Sequence, residues 1–78
     1  MLSDSTLRWR CRRGKKELDV LLGRFIERHL GSLDKAQRAA LERLLALEDD
    51  DLLDQALGRA APADGDTAAV LALMHPGA

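Results

Sequence analysis

Apolar residues recur at helical spacing through most of this 78-residue chain. The clearest stretch is Leu18, Leu21, Leu22, Phe25, Ile26 and Leu30, which follow the i, i+3, i+4, i+7 rule and predict one buried helix face over about 16–30, closed by Gly31. Upstream, a first helix is expected over about 4–13, with Ser3 or Asp4 as its cap and Gly14 as its stop. Downstream, Ala40, Leu41, Leu44 and Leu45 share a face of a third helix ending near Leu47. Ser32 or Asp34 caps it, and Asp34 with Gln37 has the spacing of a capping box. Glu48-Asp49-Asp50-Asp51 then places negative charge where a fourth helix begins and its dipole is positive. Leu52, Leu53, Ala56 and Leu57 supply its apolar face, and Gly58 its stop. Residues 60–66 read as a loop, after which Asp64 or Asp66 caps a last helix that ends before Pro76.

About five helical segments and no strand pattern predict an all-α fold, a compact bundle of short helices. The connections are short and each helix has one stripe to bury. The chain is expected to form a single helical domain over 1–78, its core about 4–74. The hydrophobic content of 46% suffices for one core, and the sole cysteine, Cys11, excludes an internal disulfide, so regular helix packing must carry the fold. The longest apolar run, residues 68–74, is far shorter than the roughly 20 residues of a membrane span, and the amino terminus has no signal-peptide core. A lone thiol fits a reducing compartment, so a cytoplasmic location without membrane insertion is expected. Charge is segregated. Residues 8–28 carry eight Lys/Arg against Glu17, Asp19 and Glu27, whereas residues 29–78 carry four against nine Asp/Glu. Such a two-ended molecule steers association with a partner.

Residues 9–19, Trp9-Arg10-Cys11-Arg12-Arg13-Gly14-Lys15-Lys16-Glu17-Leu18-Asp19, hold the candidate chemistry. Helix-end electrostatics explain them one way: Arg12 and Arg13 at a helix C-terminus, Gly14 breaking it, Glu17 and Asp19 in the first turn of the next. Partner recognition explains them another way. Trp9 and Arg13, four residues apart, share a helix face, and Trp and Arg are the residue types that anchor interfaces; the alternative is a half-buried Trp9 with Arg13 stacked on it. Six cations within residues 8–16 also raise a small nucleic-acid-binding module, against which stand the acidic second half and a pI near 6.1. Consecutive carboxylates at 48–51 point in different directions, which suits a helix start better than a metal. Cys11, four residues after Leu7, reads as a packed structural cysteine; His29 and His75 read as capping or solvent-facing residues. No arrangement of an enzyme's catalytic residues emerges.

The Cys-Arg-Arg-Gly-x-x-Glu-Leu-Asp core of this segment resembles the signature of the FAD assembly factors of succinate dehydrogenase, the SdhE family. The likeness continues through Phe25, Ser32-Leu33, Arg43-Leu44-Leu45, Asp49 to Leu53 and Pro62-Ala63-Asp64, over roughly residues 7–74. It implies a five-helix bundle that binds the flavoprotein subunit of succinate dehydrogenase, and often of fumarate reductase, and promotes covalent attachment of FAD to a histidine of that subunit. FAD then belongs to the partner and is not bound stably here, and the factor is a chaperone without catalytic residues. The family's working surface, Arg-Gly-x-x-Glu, falls on Arg13, Gly14 and Glu17, with Asp19, Trp9 and Arg12 as neighbours that complete the expected partner-binding set. The chain departs from the family in having Lys at both positions after Gly14, where the first is commonly apolar, and in its few aromatic residues.

Overall fold

Ser3 opens the first helix by accepting the backbone N–H of Thr6 on its hydroxyl at 3.2 Å. The computed structural model, which describes residues 2–74, then runs through α1 (Asp4–Arg10), α2 (Lys16–His29), a single 3-10 turn (Leu30–Ser32), α3 (Lys35–Leu45), α4 (Asp49–Ala56) and α5 (Gly65–Met74). All five expected helices form, and no strand occurs among the described residues. His75 and Pro76 lie outside them.

The helix ends follow local chemistry, with some shifts from expectation. Asp34, not Ser32, caps α3, and the capping box with Gln37 is complete. Asp64, not Asp66, caps α5: its carboxylate accepts the Thr67 N–H at 2.8 Å. That bond, then the Thr67 hydroxyl and Arg43, holds the Asp64 carboxyl below the usual carboxylate range. Helix α4 closes as a Schellman motif, with Gly58 at φ +77° and the Arg59 N–H reaching Asp54 O at 2.8 Å. Gly31, in contrast, does not stop α2 through a left-handed turn; the chain tightens into the 3-10 turn instead. Helix α3 ends at Leu45 rather than near Leu47, and α1 at Arg10 rather than near Arg13.

Leu18, Leu22, Phe25 and Ile26 of α2, with Leu30 of the 3-10 turn, share one core with Ala40, Leu41, Leu44 and Leu45 of α3. Leu21 is only half-buried, and Leu57 is exposed because it sits at the α4 C-cap, beyond the last turn that faces inward. Helix α5 has no polar stripe after its first turn and packs against α2, α3 and α4, where an all-round apolar helix belongs. The radius of gyration, 11.1 Å, matches the roughly 11–12 Å of a close-packed chain of this length.

The seven-residue α1 buries only Leu7. Polar ties therefore fasten it at its start: Arg38 of α3 pairs with Asp4 at 2.8 Å and donates to Leu2 O at 3.1 Å, and the Leu2 N–H donates to Glu42 at 3.1 Å.

Candidate functional site: the joint between α1 and α2

Between Arg10 and Lys16 the chain leaves one helix and enters the next at an angle. Cys11 closes α1, its N–H on Leu7 O at 3.1 Å, and Arg12 follows with its N–H on Trp9 O at 3.1 Å. The backbone turns at Gly14, whose φ of +81° lies in the left-handed region that L side chains resist. A Cβ placed there meets nothing within 4 Å, so the backbone conformation, rather than crowding, calls for glycine. Lys15 holds the N-cap position of α2 but offers no side-chain acceptor. The acceptor comes from one turn later, where Asp19 receives the Arg13 N–H at 2.7 Å and the Gly14 N–H at 3.3 Å on its two oxygens. One carboxylate thereby satisfies two backbone donors and lies near the positive end of α2.

Arg13 turns away from solvent. Its side chain is 14% exposed, and Nε donates to Asp49 Oδ1 at 2.7 Å. Its terminal nitrogens reach Leu45 O at 2.8 Å and Leu47 O. One guanidinium thus covers the carbonyl end of α3 and the first residue of α4, a use of its fork that an ammonium cannot reproduce. Lys15 adds an exposed pair with Asp50 at 3.2 Å. The expected sharing of a helix face by Trp9 and Arg13 does not occur. Helix α1 ends between them, so the four-residue spacing no longer stacks them, and Arg13 is drawn to Asp49 while Trp9 remains 73% exposed. Burial of Trp9 beneath Arg13 is overturned on the same ground.

The expected set therefore divides. Trp9, Arg12, Gly14 and Glu17 lie exposed around the joint, and no hydrogen bond or ion pair engages the side chains of Trp9, Arg12 or Glu17 among the described residues. Arg13 and Asp19 serve the joint from within. Sequence reading missed Asp49: within an acidic run at a helix start it looks like one more dipole complement, and its arginine is 36 positions away. A groove of about 530 Å³ borders the joint, lined by Arg8, Arg12, Gly14, Gly23, Ile26 and Glu27 among others. Cys11 is buried, as its packed reading expected. Desolvation pushes its thiol up to about 11, against the opposing influence of Arg13 and Arg8. His29 packs its ring against Phe25, 5.7 Å between centroids. Among the described residues no cluster of three His, Cys, Asp or Glu is placed to hold a metal, and no helix is long and apolar enough to cross a membrane.

A family model described as "Flavinator of succinate dehydrogenase" matches residues 5–76. The FAD assembly factor SdhE of Coxiella burnetii is 43% identical over 61 residues, 78% of this chain and 74% of that protein. Its namesake in Methylococcus capsulatus is 42% identical over 69 residues, covering 88% and 83% of the two chains. That of Pectobacterium atrosepticum is 33% identical over 71 residues, covering 91% and 81%. No solved structure matches the chain. With a match that spans nearly its whole length, including the joint and the turn that receives Arg13, this chain belongs to the family of flavinators of succinate dehydrogenase.

Proposed function

We propose that this chain is an FAD assembly factor that binds the flavoprotein subunit of succinate dehydrogenase and promotes covalent attachment of FAD there, with the flavoprotein of fumarate reductase as a second client. The observation that carries the reading is the family match over residues 5–76. The joint supports it: an exposed Trp9 beside Arg12, with Glu17 across an open glycine, offers an aromatic anchor and one charge of each sign to a protein surface. The flavin bond forms within the flavoprotein, and the factor holds that partner receptive as a cytoplasmic, non-catalytic chaperone. FAD is the partner's prosthetic group, and no step at the flavin is assigned to this chain.

Nothing favours the nucleic-acid reading. Arg13, at the centre of the cationic stretch, is engaged by Asp49 and turned from solvent, and Lys15 stands beside Asp50, so the basic stripe is interrupted. The test is capture of partners from bacterial extract with the wild type and with Gly14→Val, followed by measurement of covalent flavin. A flavoprotein recovered by the wild type, and lost together with flavinylation in the variant, is expected. Failure of the wild type to retain any flavoprotein would overturn the proposal.

A further inference from the structure

Asp49 stands at the first position of α4, with 29% of its side chain exposed, and its Oδ1 lies 2.7 Å from Arg13 Nε. The same guanidinium takes the carbonyls of Leu45 and Leu47, so three acceptors of the α3–α4 turn converge on one side chain. Helix α1 buries only Leu7 along its length, and at its carboxyl end only the small side chain of Cys11, its C-cap, joins the core. The ties from Arg38 and Glu42 reach only its start. At its end, Arg13 supplies the shielded tie, with the exposed Lys15–Asp50 pair beside it contributing far less.

We infer that Asp49 is a positioning residue for the flavoprotein-binding joint: through Arg13 it sets where Trp9, Arg12, Gly14 and Glu17 stand relative to the bundle, without touching the partner itself. This rests on the proposed function above and assigns Arg13 a different part from a surface contact. A guanidinium with its Nε and both terminal nitrogens already engaged, and most of its surface covered, has little left to offer a partner carboxylate. Loss of the Asp49 charge removes the ionic tie and leaves the guanidinium only the carbonyls of Leu45 and Leu47, so the register of the joint on the α3–α4 turn loosens. Asp19 continues to hold the Arg13 and Gly14 amides, so the loop keeps its local shape while its placement changes.

A double-mutant cycle decides the matter, using Asp49→Asn, Arg13→Met and the double variant of the full chain. The readouts are affinity for the apo-flavoprotein, at a temperature where circular dichroism shows each variant fully folded, and amide exchange across residues 11–19. Each single variant is expected to weaken binding roughly tenfold and the double variant no more than the weaker single, since residues acting as one unit are non-additive. Arg13→Lys, which keeps the charge but not the fork, is expected to rescue only part of the loss. A merely structural pair lowers the melting temperature and leaves the affinity of the folded protein unchanged, which would overturn the inference. Loss of binding with Arg13→Met but not with Asp49→Asn would also overturn it, making Arg13 a direct contact. A wild type that binds no flavoprotein overturns the functional reading and the inference with it, whereas unchanged exchange and affinity in Asp49→Asn overturn the inference alone.

Discussion

The carboxylate of Asp19 receives the backbone N–H of Arg13 at 2.7 Å, six residues back along the chain, and that of Gly14 at 3.3 Å with its other oxygen. Substituting Asp19→Asn keeps the shape but leaves one acceptor oxygen for two donors and removes the charge. A loss of about 1–2 kcal/mol in urea denaturation is expected, with faster amide exchange at Arg13 and Gly14. Unchanged exchange at those two amides would show that the bonds contribute nothing to the joint.

Gly14 makes a separate demand, since only its φ of +81° opposes a side chain and the space around it is open. Stability should therefore fall in the order Gly, Asn, Ala, Val, with Gly14→Ala costing about 1–2 kcal/mol. Asparagine tolerates the left-handed region, and valine adds β-branching. Equal stabilities for glycine and alanine at this position would contradict the assigned backbone conformation.

Cys11 yields a prediction in pH. With its thiol pushed up to about 11, only about one part in a thousand is thiolate at pH 8 in the folded protein. A thiol reagent should react at the unfolding rate rather than at the rate of a free thiol. The sign of the linkage follows from the raised value. The unfolded chain loses this proton near the ordinary thiol value of 9.0, while the folded one holds it to about 11. The Cys11 contribution to stability is thus complete below about 9 and disappears between the two values as pH rises. A Cys11→Ala variant should lack that alkaline decline in a urea-denaturation series.

Core substitutions on α2 should separate by facing. Leu22 is fully buried, and Leu22→Ala is expected to cost about 2–5 kcal/mol. Leu21, half-buried beside it, should cost roughly 1–2 kcal/mol on truncation. Melting temperatures of the two variants that coincide would place Leu21 in the core after all.

Much of this molecule is written in short-range pattern. The apolar spacing on α2 and α3, the Asp34–Gln37 box, the glycine stop at Gly58, the glycine turn at Gly14 and the acidic start of α4 all act within one or two helical turns. A linear reading therefore finds them. The Arg-Gly-x-x-Glu segment was legible too, as a motif and as a joint. Tertiary structure alone decided what Arg13 does. Whether Arg13 faces solvent or the turn at Asp49 depends on two segments 36 residues apart meeting in the folded bundle, and no local preference encodes that meeting. The end of α1 at Arg10, and with it the separation of Trp9 from Arg13, was settled the same way. A short helix with one buried leucine stops where long-range acceptors reward the chain more than another helical turn would.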